Sequence, residues 1–376
     1  MSFQGFYQGK KVLVTGHTGF KGAWLCEWLL ALGAKVSGYA LAPATTPALF
    51  TQVTLDTRMP HVLGDVRDLE KVRQTVQDVG PDLVFHLAAQ PLVRLSYHQP
   101  VETYGTNVMG TVNVLEAVRL AGRPCTVVVV TTDKCYENRE WVHSYREEDP
   151  MGGHDPYSSS KGAAELVVAA YRRSYFSGPD SKVRLASVRA GNVIGGGDWA
   201  LDRIVPDCVR ALQRNEAIAV RNKVATRPWQ HVLEPLSGYL WLAAALSDPA
   251  LLPDAKPAGL AGAFNFGPAN QSNRTVADLV HEILKSWPGA WVDRSDPKAT
   301  HEATLLNLST DKAFHLLKWR PVWSFEETVA ETVGWYRAAG AEARALTTRQ
   351  ITAYEEGARR ANIAWAAGGK LVLGSA

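Results

Sequence analysis

Apolar residues near the start of the chain alternate between strand and helix spacing. Lys11 to Thr15 (KVLVT) is a short β-branched run that stops at a glycine, and Ala23 to Leu32 then carries apolar residues at helical spacing. Gly33 stands where a helix C-terminus favours a residue with positive φ, and Lys35 to Leu41 is extended again. The pattern predicts a strand, a helix and a second strand, which is a βαβ unit.

The same alternation continues to about residue 190. Strands are predicted at Asp82 to Leu87, Cys125 to Val130 and Arg184 to Val188, and helices at Val101 to Leu120 and Ser158 to Tyr175. Strands that are apolar on both faces belong in a parallel sheet covered by helices. We therefore predict an α/β fold with a Rossmann-type, doubly wound parallel sheet.

The sequence pattern changes after about residue 190. Glycines cluster at Gly195 to Gly197, and prolines become frequent between Pro249 and Pro257. We predict a Rossmann domain over residues 1–190 and a smaller mixed α/β substrate-binding domain over residues 191–376, interleaved with the first. The tail from about residue 358 is rich in small residues and is expected to pack as a helix that frays at its end.

Composition excludes several classes of protein. A chain of 376 residues, 46% of them hydrophobic, can bury a substantial core. Its formal charge of +3 comes without long blocks of like charge, so no nucleic-acid partner is predicted. The four cysteines are far apart, which predicts reduced thiols in a cytoplasmic protein and no metal site. Neither a signal peptide nor a membrane-spanning run is recognisable, so no membrane partner is expected.

The turn after the first predicted strand has the spacing G-x-x-G-x-x-G. Glycines let a backbone approach a pyrophosphate closely, and the helix that follows offers unpaired N–H groups at its N-terminus. Alone, the pattern is equally compatible with an ordinary glycine-rich turn. Its residues are Gly16-His17-Thr18-Gly19-Phe20-Lys21-Gly22.

A second pattern, Tyr157-x-x-x-Lys161, puts a phenol and an ammonium one helical turn apart. An ammonium that close favours the phenolate, so we expect the pKa of Tyr157 to fall from about 10 toward the working range, where the phenolate can take a proton from a substrate hydroxyl. Thr132, at the end of the preceding strand, would complete a triad. Such a pattern alone usually consists of exposed residues without a catalytic role, but the glycine turn upstream favours the catalytic interpretation.

These motifs, with Gly64 to Asp68 (GDVRD) and His86 to Gln90 (HLAAQ), resemble the extended short-chain dehydrogenase/reductase superfamily. The resemblance implies NAD as cofactor and hydride transfer as the shared step. The second strand ends at Tyr39 to Pro43 (YALAP) without the acidic residue that usually holds the adenosine ribose, so weak binding or tolerance of NADP is also expected. The implied cofactor-binding residues are Gly16, Thr18, Gly19, Phe20, Lys21, Gly22, Asp65, Val66, Leu87, Ala88, Ala89, Tyr157 and Lys161.

The residues after Thr132 are similar to those of nucleotide-sugar 4,6-dehydratases in this superfamily. Asp133 to Asn138 (DKCYEN), with Gly195 to Trp199 (GGGDW) and Arg227 to Tyr239, resemble the branch that acts on CDP-linked glucose, and the similarity extends to about residue 357. It implies CDP-glucose as substrate and a redox-neutral dehydration. On this interpretation the sugar is oxidised at C4 and loses its C5 proton, and its C6 hydroxyl leaves as water with a proton from Asp133. The hydride taken from C4 then returns from the reduced cofactor to C6.

Lys134 stands where relatives commonly carry glutamate, and two interpretations remain open. A lysine acts as a base only when burial or a neighbouring cation lowers its pKa, which would make Lys134 the base at C5. Alternatively, Lys134 pairs with Asp133 or a substrate phosphate while another group takes the proton.

The same resemblance implies the substrate contacts and the assembly. The planar guanidinium of Arg227 would bind paired oxygens of the diphosphate. Arg94 and Arg203 are also compatible with structural roles. Relatives in the superfamily pair through helices of the cofactor domain, so a homodimer or homotetramer is expected. An epimerase, a dehydratase for another nucleotide sugar and a non-catalytic cofactor-binding scaffold remain alternatives. The implied substrate-binding residues are Gln90, Arg94, Asn192, Arg203 and Arg227.

Overall fold

The computed structural model describes residues 1–178, 180–255, 257–295 and 305–367. In these ranges the centre of the molecule is a seven-stranded sheet of order β11-β6-β5-β4-β1-β2-β3. Every neighbouring pair of its strands is parallel. The strands are β1 Lys11–Thr15, β2 Lys35–Ala40, β3 His61–Leu63, β4 Leu83–His86, β5 Cys125–Val130, β6 Val183–Ala190, β7 Val193–Ile194, β8 Ile218–Val220, β9 Thr226–Pro228, β10 Gln230–His231, β11 Ala263–Phe266, β12 Asn273–Thr275 and β13 Trp291–Asp293.

Helices cover both faces of the sheet and alternate with short strands and loops in the second half of the chain. They are α1 Phe20–Ala31, α2 Leu49–Gln52, α3 Leu55–Arg58, α4 Leu69–Val79, α5 Val93–His98, α6 Pro100–Tyr104, α7 Gly110–Ala121, α8 Pro156–Tyr175, α9 Ile204–Gln213, α10 Leu233–Ser247, α11 Pro257–Leu260, α12 Val276–Ser286, α13 Asp311–Leu317, α14 Phe325–Ala338 and α15 Ala343–Arg360. No helix in the described ranges is both long enough and apolar enough to cross a membrane.

The strand order places a ligand crevice at one edge of the sheet. Every residue of β5 is buried, as expected for a central strand with helices on both faces. The chain runs outward from β1 to β3, then returns to place β4 on the other side of β1. Open α/β sheets bind ligands beyond the carboxyl ends of the strands at such a switch point. The predicted Rossmann-type fold is confirmed.

The sheet takes its last strand from the second half of the chain. β11 pairs with β6 from Ala263 opposite Ser187 to Phe266 opposite Ala190. Residues 233–246 of α10 are all buried, in an apolar core that also contains β1 and α1. The boundary near residue 190 stays a prediction.

Two predicted elements differ from the structure. The helix expected over residues 101–120 is interrupted by a π-helical turn, Gly105–Met109, between α6 and α7. The tail is not a helix between residues 361 and 367, because Asn362 adopts a left-handed φ of 51° and the following turn buries Trp365 against Tyr354. The rest of the predicted tail lies outside the described residues.

Candidate active site

The glycine turn lies directly against the loop that follows β4. Gly16 has a φ of +74°, and a Cβ on it would be 2.7 Å from the backbone nitrogen of Ala88. A Cβ on Gly22 would be 2.2 Å from the carbonyl oxygen of Gly16. Both positions therefore require glycine, and the turn sits at the switch point between β1 and β4.

The start of α1 fits the pyrophosphate of a dinucleotide. Gly19 precedes the helix and is exposed, and no described side chain caps the helix there. The first-turn N–H groups are therefore available to an anion, beside a backbone without side chains. Thr18 lies buried next to them and donates its hydroxyl to the carbonyl of Leu41 at 2.9 Å, which ties the turn to the end of β2.

The carboxylate near the predicted adenosine site comes from the loop after β3. Asp65 accepts hydrogen bonds from Nε and Nη2 of Arg67 at 2.9 and 2.7 Å, and this guanidinium lowers the pKa of the carboxyl group. The hydroxyl of Tyr39, in β2, donates to the Asp65 carbonyl at 2.8 Å. Val66 is buried against Gly110. The structure thus brings Asp65 beside the strand that lacks its own acidic residue.

The loop after β4 is held by a network of short polar side chains. The hydroxyl of Thr15 lies 2.7 Å from Nδ1 of His86. The same hydroxyl accepts a hydrogen bond from the N–H of Ala88 at 3.2 Å. Leu87, Ala88 and Ala89 remain half-buried at the crevice, as a cofactor path requires.

Gln90 stabilises this loop from within. Its amide nitrogen donates to Thr103 at 3.0 Å and to the Leu92 carbonyl at 3.1 Å, and its amide oxygen accepts from the N–H of Leu92 at 2.6 Å. These contacts occupy both ends of its amide group, although Gln90 remains at the position predicted to meet the substrate.

Tyr157 and Lys161 lie on the first turns of α8, with Asp155 as its N-cap. Nζ of Lys161 donates to the carbonyl of Val130 at 3.2 Å, which holds the lysine against the end of β5. Thr132 follows that strand, and a hydrogen bond with it acts on the Tyr157 hydroxyl. The structure therefore brings the predicted triad together.

Burial reverses the expected direction of the Tyr157 pKa. Desolvation raises it to about 12, outweighing the hydrogen bond with Thr132, which lowers it. Burial also lowers the pKa of Lys161 to about 8, against the opposing charge of Glu165. The prediction of a lowered tyrosine pKa was wrong for this structure because helical spacing reports proximity and not the cost of removing charge from water.

Asp133 occupies a short 3₁₀ turn, Asp133–Cys135, beside the triad. Its side chain is 3% exposed, and burial raises the pKa of the carboxyl group despite the charges of Lys134 and Arg227. The Thr132 hydroxyl donates to its Oδ1 at 2.9 Å. A Cβ on Gly191 would lie 3.0 Å from its Oδ2, so glycine leaves room for the carboxyl group. This environment favours a protonated acid.

Two of the arginines predicted to bind substrate interact electrostatically with Asp133 or Tyr157. Arg227 is buried in β9 and acts on the charge of Asp133. Arg203 donates to Asp198 at 2.7 Å, and its charge lowers the pKa of Tyr157 against the larger effect of burial.

Arg94 and Asn192, which were also predicted to bind substrate, lie further from Asp133 or beside its loop. Arg94 is exposed, with Nη1 3.4 Å from Asp202, and links α5 to the loop before α9. Asn192 is half-buried next to Gly191, and its carbonyl accepts from the N–H of Gln230 at 3.2 Å.

A sequence model of the family described as GDP-mannose 4,6 dehydratase matches residues 13–332. The chain belongs to this GDP-mannose 4,6-dehydratase family. A CDP-glucose 4,6-dehydratase of Salmonella typhimurium is 49% identical to it over 356 residues, covering 93% of this chain and 97% of that protein. A dTDP-D-glucose 4,6-dehydratase of Bos taurus is 25% identical over 343 residues, covering 87% of this chain and 89% of the bovine protein.

Solved structures of similar enzymes share the fold of this 4,6-dehydratase family member. A dTDP-glucose 4,6-dehydratase of Streptomyces venezuelae, solved with NAD and TYD bound, matches with a TM-score of 0.72 and 26% identity over 87% of this chain and 96% of that one. A UDP-glucose 4-epimerase of Thermus thermophilus, in complex with NAD, matches with a TM-score of 0.73 and 24% identity over 88% of this chain and 99% of the epimerase.

Three side chains of this 4,6-dehydratase family member have positions that sequence reasoning missed. Lys21, predicted at the cofactor, is near enough to Arg203, Lys161 and Asp133 to interact with their charges, and burial, Arg203 and Lys161 lower its pKa to about 8. Tyr239 lies beneath it, with Nζ of Lys21 5.7 Å from its ring centroid. The Tyr239 hydroxyl is buried with no hydrogen-bond partner among the described residues.

Asn107, in the π-helical turn, links the loop after β4 to α8. Its oxygen accepts from the N–H of Gln90 at 2.8 Å, and its nitrogen donates to Ser160 at 2.8 Å, one residue before Lys161. π-Helical turns are frequent at functional sites. The sequence pattern does not show where the helix is interrupted, so the role of Asn107 could not be predicted. Lys21 could have been noticed, because it is a basic residue inside the glycine turn.

Proposed function

We propose that the protein catalyses the NAD-dependent, redox-neutral dehydration of CDP-D-glucose to CDP-4-keto-6-deoxy-D-glucose and water. The observation that carries this proposal is the buried Asp133, whose raised pKa favours the acid form, beside the triad of Thr132, Tyr157 and Lys161. The 49% identity to a CDP-glucose 4,6-dehydratase supports the choice of nucleotide.

NAD, when bound, supplies a reversible hydride acceptor for the sugar carbons. The glycine turn and the start of α1 would hold its pyrophosphate, the loop after β3 would hold its adenine, and the loop after β4 would line the path of its nicotinamide. The residues that carry these contacts are Gly16, Thr18, Gly19, Phe20, Lys21, Gly22, Asp65, Val66, Leu87, Ala88 and Ala89.

Tyr157 takes the proton from the C4 hydroxyl. Burial raises its pKa to about 12, so the phenolate depends on partners that stabilise negative charge. The hydrogen bond with Thr132 lowers the pKa of Tyr157. Lys161, one turn further along the same helix, would add a positive charge near the phenolate. The two residues would therefore offset part of the increase in the Tyr157 pKa that burial causes.

Asp133 gives a proton to the departing C6 hydroxyl after the C5 proton has been removed. A C4 ketone makes the neighbouring C5 hydrogen acidic, and a general base then needs only to lie within reach of it. Lys134 follows Asp133 in the turn and acts on its charge, an arrangement that suits both a base and a partner for Asp133. We assign the contacts with the diphosphate and the sugar to Arg203, Arg227 and Asn192.

Turnover of separate nucleotide sugars tests this function. The purified chain is incubated with CDP-glucose or dTDP-glucose, each with and without added NAD, and the 4-keto-6-deoxy product is followed by its absorbance in alkali. We expect product from CDP-glucose that increases with added NAD. Preferred turnover of dTDP-glucose would contradict the proposed substrate, and NAD binding without turnover of either sugar would indicate a non-catalytic scaffold.

We further propose a homodimer or homotetramer in the cytoplasm. Large apolar side chains remain exposed on the helices of the cofactor domain, with Val101 80% and Leu166 62% accessible. The four cysteines are buried and unpaired, which suits a reducing compartment. Light scattering of the purified chain tests the assembly, and a monomeric mass at micromolar concentration would contradict it.

A further inference from the structure

Helix α8 brings a third ionisable side chain to the catalytic centre. Glu165 lies four residues after Lys161 and is 4% exposed. Its carboxylate accepts hydrogen bonds from the ends of two strands, from Thr131 at 2.5 Å, Ser187 at 2.7 Å and Nη2 of Arg189 at 2.8 Å. The proposed chemistry assigns this group no role.

Arg189 extends this network to the turn that carries Asp133. It is 4% exposed, and its Nη1 donates to the hydroxyl of Tyr136 at 2.7 Å, while its guanidinium lies 4.9 Å from the centroid of the same ring. Tyr136 in turn donates to Oδ1 of Asn265, in β11, at 2.8 Å. The chain of contacts from Glu165 therefore joins α8, β5, β6, β11 and the turn after Thr132.

The carboxylate of Glu165 is held in its ionised form. Burial would raise its pKa, but the Arg189 guanidinium and the three hydrogen bonds together lower it. Arg172 and Cys135 also interact with its charge. A buried ion pair that loses one partner leaves an uncompensated charge, so removal of either side chain alone is expected to destabilise the fold.

This carboxylate lies one helical turn from Lys161 and favours the charged form of the lysine. Burial lowers the pKa of Lys161 to about 8, and Glu165 is the largest influence that raises it. Besides Tyr157, one turn away in α8, the other titratable groups that interact with Lys161 are Cys135, His86 and Lys21. Burial raises the pKa of the Cys135 thiol and that of the Tyr157 phenol, and it lowers the pKa of His86 to about 3. Among these neighbours, Glu165 is the anion whose ionisation the structure favours.

We propose that Glu165 is a positioning residue for the Tyr157–Lys161 pair, keeping the Lys161 ammonium charged and holding the end of β5, and so Thr132, against α8. The proposal rests on the proposed function of that pair. Its geometry comes from the three hydrogen bonds to Glu165 and from the one-turn separation between Glu165 and Lys161. Without the carboxylate, Lys161 loses its proton at a lower pH, and the phenolate of Tyr157 loses its counterion.

The test uses the full chain labelled with ¹³C at lysine Cε and compares Glu165→Gln with Glu165→Asp. The Lys161 resonance is assigned by its loss in Lys161→Met and titrated by NMR, and the pH dependence of kcat is measured with CDP-glucose and NAD. In Glu165→Gln we expect the lysine titration and the alkaline limb of kcat to move down by about one pH unit. Glu165→Asp keeps the charge and restores most of both.

Glu234→Gln is the matched control, because Glu234 is another buried helix glutamate whose hydrogen bonds go to Tyr354 and backbone N–H groups of residues 322 and 323. It should leave the Lys161 titration in place. If Glu165→Gln does not fold, Glu165→Gln/Arg189→Met removes the ion pair as a unit and should give the same shift.

The outcomes separate this proposal from the proposed function. A Lys161 titration that is unchanged in Glu165→Gln or in the double variant, or that moves equally in Glu234→Gln, overturns the role of Glu165. The NMR titration needs no turnover. A shifted resonance in a chain whose unmodified form does not convert CDP-glucose would support the coupling and contradict the proposed reaction.

Discussion

At the scale of single residues, the proposed reaction requires a protonated Asp133 when the C6 hydroxyl departs. Burial raises the pKa of this carboxyl group, so its acid form persists to higher pH and the donor is lost as pH rises through the raised value. We expect Asp133→Asn to lower turnover about 10²- to 10⁴-fold, while hydrogen at C5 still exchanges with solvent. Product formation and deuterium incorporation at C5 measure the two steps separately, and equal loss of both would contradict an acid role confined to elimination.

Lys134 gives a second prediction at this scale. If Lys134 is the C5 base, Lys134→Met leaves oxidation at C4 detectable as cofactor reduction at 340 nm but stops exchange of C5 hydrogen with solvent. Lys134 follows Asp133 in the same turn, so the Asp133→Asn protein serves as the control in which exchange continues. Undiminished exchange in Lys134→Met would leave Lys134 as a partner of Asp133 or of a phosphate.

Sequence spacing predicted that the side chains of the candidate site are neighbours, but not the directions in which their pKa values shift. Tyr157 and Lys161 were predicted to be neighbours because four residues make about one helical turn. The direction of the Tyr157 pKa depends on burial by elements distant in sequence, which no local spacing encodes. For the same reason the Glu165–Arg189 pair, 24 residues apart, was not predicted.

At the scale of elements, the glycine turn between β1 and α1 gives a prediction for stability and cofactor affinity. A Cβ on Gly22 would meet the Gly16 carbonyl at 2.2 Å, and this neighbour is backbone that cannot rotate away. We expect Gly22→Ala to lower the free energy of unfolding by about 1–3 kcal/mol and to weaken NAD binding. Chemical denaturation and a cofactor titration measure the two effects.

Gly334→Ala in α14 is the matched control for this substitution. A Cβ there would meet nothing within 4 Å, and alanine in a helix interior is more favourable than glycine by about 1 kcal/mol. Stabilisation by Gly334→Ala together with unchanged stability and affinity in Gly22→Ala would show that the turn tolerates a side chain.

The alternation of strands and helices was predictable because each element repeats its own spacing over several residues. The first βαβ unit, from β1 to β2, follows directly from that periodicity. The π-helical turn at Gly105–Met109 was not predictable, because it keeps the apolar pattern of its flanking helices while Asn107 bonds across to Ser160. The three short two-stranded pairs, β7 with β10, β8 with β13 and β9 with β12, are too short to show a period of two.

At the scale of the whole molecule, the buried Glu234 makes stability depend on pH. Burial raises its pKa to about 7, so the folded state holds this proton more tightly than the unfolded chain does. The free energy of unfolding therefore decreases as pH rises from the unfolded value, near 4.5, through about 7, and the shift corresponds to about 3 kcal/mol. Denaturant unfolding at several pH values should show a weaker decrease in Glu234→Gln, and parallel curves would contradict this assignment.

The joining of the two halves was predicted only in outline. The change in sequence pattern after residue 190 indicated a second domain interleaved with the first. It did not indicate that β11 completes the central sheet. Strand pairing between residues 187 and 263 is a long-range contact, and local patterns do not specify such partners.

The position of β11 also bears on how the protein is made. A chain growing from its N-terminus has β1 to β6 available long before Ala263–Phe266 emerges, so the backbone N–H and C=O groups on the outer side of β6 stay unpaired during that interval. An unpaired strand edge is a template for another chain. A nascent or truncated polypeptide that ends before residue 263 is therefore expected to be prone to edge-to-edge association and to engage chaperones, a vulnerability that disappears once the seventh strand docks.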